Sequence, residues 1–176
     1  MNVWKILGAV VLDLVLVGCS GPAEPEVVTY VRLGPTELPA ESFERPPEEP
    51  FDKSDYLFGF ANLASFYDAP GEAGYLMFGG DYGFDSVSII VTETHPKGGP
   101  PLHTHDVEEA HVLLSGRMDY VIGEKRFSAT GPYIARVPAG APHTFVNAGK
   151  QPLNLIGIIP SNQPGYEVVG PNPLVE

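Results

Sequence analysis

Only one cysteine, Cys19, occurs among the 176 residues, which excludes any disulfide within the chain. Positive charge is also scarce. Ten Lys and Arg stand against 22 Asp and Glu, for a formal net charge of −12, and acidity of this size argues against DNA, RNA or an anionic headgroup surface as the principal partner. No apolar run reaches the ~20 residues needed to cross a hydrocarbon layer of about 30 Å. Sustained apolar recurrence at helical spacing is missing as well, Tyr56 to Tyr67 being the nearest approach. There is no Gly-x-Ser-x-Gly elbow. The glycine-rich Gly79-Gly80-Asp81-Tyr82-Gly83 leads into Phe84-Asp85-Ser86 and a strand, where a phosphate cradle needs a helix N-terminus.

What is present first is a short apolar segment, Ile6 to Val17, behind Lys5 and interrupted by Gly8 and Asp13. Too short to span a bilayer, it reads as a signal segment covering residues 1–18. Leu16-Val17-Gly18-Cys19 resembles a bacterial lipobox, which implies cleavage before Cys19, lipidation of Cys19 and a lipid-anchored protein of the cell envelope, facing the periplasm or otherwise outside the cytoplasm. Ser20 after the cysteine resembles the pattern that permits sorting to the outer membrane. Removing residues 1–18 takes away Lys5 and Asp13 together, so the charge stays at −12. Ser20 to Asp55 then holds seven prolines, nine acidic residues and three basic ones, too little apolar surface to offset chain ordering. Residues 19–55 therefore read as a tether or, through Val27-Val28-Thr29-Tyr30-Val31, as an arm with a strand of its own.

From residue 56 to 160 short apolar runs alternate with turn residues. Tyr75-Leu76-Met77-Phe78 ends at Gly79-Gly80, and Val87 to Val91 ends near Pro96-Lys97-Gly98-Gly99. Met118 to Ile122, Gly123-Glu124 and Lys125-Arg126-Phe127 read as a hairpin, while Leu153 to Ile159 reads as a closing strand stopped by Pro160. The pattern is all-β, and closure into a barrel or jelly roll removes the edges such strands expose. Residues 161–176, with Pro164, Pro171 and Pro173, are expected to form an irregular tail. The stretch is long enough for one domain with its own core.

Within this domain the chemistry concentrates in two places. Pro101 to Gly116 contains His103, His105, Glu109 and His111, and Pro138 to His143 supplies another imidazole. In an extended chain residues of equal parity share a face, so His103, His105, Glu109 and His111 can converge on one cavity while Glu108 points away. His95, next to Pro96 at a strand end, is not counted with them.

The spacing resembles the cupin superfamily, small β-barrels that typically hold a divalent metal with three His and one Glu. His-x-His, three residues, Glu, six residues, Gly is kept by His103, His105, Glu109 and Gly116. Pro-x-Gly, two residues, His, three residues, Asn is kept by Pro138, Gly140, His143 and Asn147. Both departures fall on turn glycines: Lys97 stands where the first motif opens on glycine, and Gly131 lies one residue further upstream than usual. The resemblance implies a single cupin-type jelly roll with His103, His105, Glu109 and His143 as metal ligands, and N-terminal arms in such folds often pair with a partner barrel in a homodimer.

Neutral imidazoles and a carboxylate suit Mn, Fe, Zn, Ni or Cu. A +2 ion and one carboxylate sum to a local +1, which favours an anionic small-molecule ligand even in an acidic protein. His111, two residues beyond Glu109, points inward on a regular strand. It is a candidate fifth ligand, acid/base group, support for the ligands, or plain core histidine. Tyr120, Tyr133 and Arg136 are weaker candidates for substrate contact, and Asn147 belongs to the fold. Two function classes follow: a metalloenzyme of dioxygenase, decarboxylase, isomerase or lyase type, or an envelope-tethered barrel that binds without turnover. The anchor has a direct test. Cys19→Ser should release the protein from membranes or leave it unprocessed, as fractionation and mass spectrometry read out; an intact Met1 with an unmodified Cys19 in the native host overturns the lipid anchor.

Overall fold

The computed structural model describes residues 30–68 and 70–175. Cys19, the signal segment and most of Val27 to Val31 lie outside the described residues. Twelve strands and two 3-10 turns, at Phe60–Asn62 and Gly79–Asp81, make up the described chain. Among the described residues no helix is long and apolar enough to cross a membrane.

The strands are β1 (Phe43–Arg45), β2 (Ala64–Asp68), β3 (Glu72–Met77), β4 (Ser88–Thr94), β5 (Leu102–Thr104), β6 (Glu109–Leu113), β7 (Arg117–Ile122), β8 (Lys125–Thr130), β9 (Tyr133–Val137), β10 (His143–Asn147), β11 (Leu153–Ile159) and β12 (Glu167–Gly170). A seven-stranded sheet runs β1-β2-β3-β4-β11-β6-β9 and a five-stranded sheet runs β12-β5-β10-β7-β8. All pairs are antiparallel. This is the all-β jelly roll that the alternating pattern predicts. Strand parity sets the interior: β6 alternates buried Glu109, His111 and Leu113 with partly exposed Ala110 and Val112, and Glu108 is exposed. One end of the interior is closed by Leu113, Met118, Tyr120, Phe145, Leu153 and Leu155. His103, His105, Glu109 and His143 are buried in the same interior.

Tyr56 to Tyr67, the nearest approach to a helical pattern, holds a single 3-10 turn and most of β2, where Phe66 and Tyr67 suit a pleated strand. Two expectations are corrected. Tethering does not describe residues 31–53, and they lie on their own barrel. Asn154 Nδ2 donates to the Val31 carbonyl at 2.8 Å, the buried Glu93 carboxylate accepts from the amides of Leu33 and Gly34, and β1 pairs with β2. Glu49 N donates to the Ala61 carbonyl and Lys53 Nζ to that of Gly80, both at 2.9 Å. Their scarcity of apolar side chains is offset by polar groups of the barrel. Finally, the tail is not irregular throughout: Glu167–Gly170 forms β12 on the free edge of β5, with a register shift between Val168 and Gly170. The flanking prolines obscure a short β-branched run.

His95 stands apart from the other histidines, its Nε2 3.1 Å from Glu93 Oε1. Asn147 closes a turn: its Nδ2 donates to the carbonyls of Thr94 and Gln151, and its Oδ1 accepts from Gly149 N, each at 2.8 Å. Lys97 adopts φ 66, the only positive φ of a non-glycine residue in the described chain, at the position where the related motif opens on glycine. A left-handed conformation costs an L-residue roughly 1–2 kcal/mol, partly offset because glycine loses more freedom on folding. Lys97→Gly should therefore stabilise the barrel by about 0.5–1 kcal/mol, read as a higher denaturation midpoint; an unchanged or lower midpoint refutes the strain.

Candidate metal centre

His103 and His143 are opposed residues of the antiparallel pair β5–β10, so their side chains leave one face of the five-stranded sheet together. His105 follows β5 in the loop that crosses to the other sheet, and Glu109 opens β6 there. Ligand atoms of His103, His105, Glu109 and His143 all lie within 4.8 Å of one another, and all four residues are buried. Two sheets and the loop between them thus meet at one point.

Hydrogen bonds behind the rings set which nitrogen faces that point. Nδ1 of His103 lies 2.8 Å from the Pro101 carbonyl, Nδ1 of His105 2.7 Å from that of Gly165, and Nδ1 of His143 3.0 Å from that of Ala141. A carbonyl only accepts, so each Nδ1 carries the proton, and in the neutral ring each Nε2 presents a lone pair. Those Nε2 atoms face Glu109 Oε2, at 3.2 Å from His143 and 3.5 Å from His105. His105 Nε2 is buried and has no hydrogen-bond partner. Four acceptors pointing at one another repel unless a cation stands between them, and the set of three imidazoles and one carboxylate suits a borderline divalent metal. The residues present therefore fit a metal.

Burial, helped by the neighbouring His143, pushes His103 down to about 3, so its ring is uncharged at neutral pH. For Glu109 burial acts upward but is outweighed by His111, His143 and His105, which hold its carboxyl well below the ordinary range.

His111 stands beside the four without joining them. Its Nε2 is 3.2 Å from Glu109 Oε2, and its buried Nδ1 has no hydrogen-bond partner. The ring packs 5.6 Å from Phe145 and 5.9 Å from Tyr120. Tyr120 belongs to the apolar plug and receives a hydrogen bond from the Tyr133 hydroxyl at 3.0 Å. Neither tyrosine lines the metal cavity, and Arg136 is exposed at the outer edge of β9.

Other contributors carry no metal-binding motif. A cavity of about 700 Å³ opens from the imidazoles and is lined by Phe66, Leu76, Ile90, Leu155 and Ile159, by the carboxyls of Asp68 and Glu72, and by Tyr166. Tyr166, from the tail, lies 4.9 Å from the His103 ring and 5.7 Å from that of His105. Gly165 is clamped from both sides, its carbonyl by His105 and its amide by Asp106 Oδ1 at 2.7 Å. The tail thereby fixes one ligand and roofs the site. Gly157 on β11 makes room for Glu109: a Cβ there would lie 2.5 Å from Oε1. An aromatic beside a glycine in the tail is too faint a signal to have been read.

Residues 90–159 match the family model for the Cupin domain. No curated protein matches the chain. Among solved structures it is similar to oxalate decarboxylase of Bacillus subtilis. The structure of that enzyme at pH 4.6 is 17% identical, with 58% of this chain and 28% of that one covered and a TM-score of 0.53. A structure from work on its Mn(II) centres is 16% identical, with 58% and 29% covered and a TM-score of 0.54. The chain spans under a third of the length of these enzymes, and likeness at this identity is one of fold.

The space at Gly157 yields a prediction. Gly157→Ala should push the Glu109 carboxylate off its position and weaken metal retention at least about tenfold, with the β-sheet circular dichroism preserved. Unchanged metal affinity in the folded variant refutes the role of this gap.

Proposed function

We propose that this chain is a metal-dependent enzyme of the cupin kind, lipid-anchored at a cell envelope through Cys19, that acts on a small oxygenated or carboxylated molecule. The observation that carries the reading is the convergence of three Nε2 lone pairs and the Glu109 carboxylate at the end of a cavity large enough for a substrate. A cavity that is open and polar on one wall, with His111 beside the ligands, favours turnover over passive binding. The oxalate decarboxylase likeness supports carboxylates, and Mn, as the first to be tried.

A divalent metal held by His103, His105, Glu109 and His143 would polarise a substrate oxygen, or exchange electrons if it is Fe, Mn or Cu. The protein's own residues do the rest. Pro101, Gly165 and Ala141 carbonyls keep the three rings oriented. Phe66, Leu76, Ile90 and Ile159 limit water around the ligand. His111 supports Glu109 through Nε2 and accepts a proton at its free Nδ1.

Elemental analysis of protein made in its native compartment should find one divalent metal per chain, and His103→Ala combined with His143→Ala should abolish it. Stoichiometric metal in that double variant sinks the assignment. Glu109→Gln should lower metal retention and Glu108→Gln should not; the reverse order points to a shifted strand register. In a panel of carboxylates and flavonoids, His111→Gln should keep metal and fold but lose turnover. Full activity in that variant refutes its proton-accepting role.

A further inference from the structure

On β2 and β3 the cavity wall is acidic. Asp68 and Glu72 are opposed residues of this antiparallel pair, so their carboxyls leave the same face side by side, with Glu44 of β1 near the rim. Glu72 is only 3% exposed. No described residue gives its carboxyl a hydrogen bond, and the ion pairs among the described residues all join a histidine to Glu93 or Glu109. Arg45 reaches the rim, but its guanidinium stacks 4.2 Å over Phe43 and pairs with neither acid. A buried carboxyl without a donor is costly, and two side by side are costlier. A wall of this kind is built for something that enters the cavity.

A second metal does not answer the need: among the described residues the only group of three or more converging donors is His103, His105, Glu109 and His143. Hard cations also take six or more oxygen ligands. A hydrogen-bond-donating cation carried by the substrate does answer it, because one ammonium offers three donors to two carboxyls.

We infer that Glu72 and Asp68 form the second half of the substrate site and receive a cationic amino group, which makes the substrate a short amino carboxylate with its oxygen head toward His103, His105, Glu109 and His143. The inference deepens the proposed function and rests on it for the position of the head. Burial, with Asp68 and Glu109 adding to it, raises the Glu72 carboxyl well above its ordinary range, and burial together with Glu44 pushes Asp68 up to about 6. Both shifts mark a wall that lacks a positive partner.

The test uses metal-loaded, full-length protein whose metal content is measured first, so that failure of the metal reading is recorded separately. Amino carboxylates from 3-aminopropanoate to 6-aminohexanoate are titrated calorimetrically at pH 7 against alkanoates of matched length. At one length or more, the amino form should bind at least about tenfold tighter than its partner. Glu72→Gln and, independently, the more exposed Asp68→Asn should abolish the preference. Each variant should stay folded with an equal or higher midpoint, since an unpartnered acid has been removed. Amino probes that bind no tighter than alkanoates, or not at all, overturn the inference, as does a preference that survives in Glu72→Gln.

Discussion

Glu109 Oε2 stands within 3.5 Å of Nε2 atoms from three histidines, His105, His111 and His143. Because backbone carbonyls hold the Nδ1 protons of His105 and His143, those two rings turn lone pairs toward the carboxylate. Acceptors crowd acceptors in a buried place where water cannot relieve them, and a positive charge at their centre is what the arrangement requires. Much of the surrounding structure serves this constraint. The β5–β10 register puts His103 beside His143, a missing side chain at Gly157 leaves room for the carboxylate, and the tail lends a carbonyl.

The same constraint explains what could be read from the chain. His103, His105, Glu109 and His143 were legible because strand parity and motif spacing are local properties, and both survive intact in β5, β6 and β10. The hairpin β7–β8 and the strand β11 were legible for the same reason. Lys97 shows the limit from the other side: it departs from the motif's residue, yet its positive φ keeps the backbone shape the turn needs. Sequence spacing could not show Gly157 beneath Glu109, Gly165 behind His105, or Asp68 beside Glu72 in the cavity wall. Each depends on which strand lies next to which, at separations of tens of residues.

Composition misled in one consistent direction. Proline and acid between residues 31 and 53 suggested a free tether, and three prolines after residue 160 suggested a loose end. Both segments instead donate or accept through backbone groups at chosen points on the barrel: Leu33 and Gly34 on Glu93, and Gly165 on His105 and Asp106. Segments poor in apolar side chains can still be ordered when buried polar groups of the core lack partners of their own, because satisfying those groups offsets the cost of fixing the chain.

The clamp on Gly165 sets an order of events. As the chain emerges, His103 and His105 precede His143 by dozens of residues, and the carbonyl that fixes the tautomer of His105 comes later still. Until the tail docks, the His105 ring is free to turn either nitrogen inward, whereas His103 is already held by Pro101, two residues upstream. The last ring to be oriented therefore waits on a segment some sixty residues away.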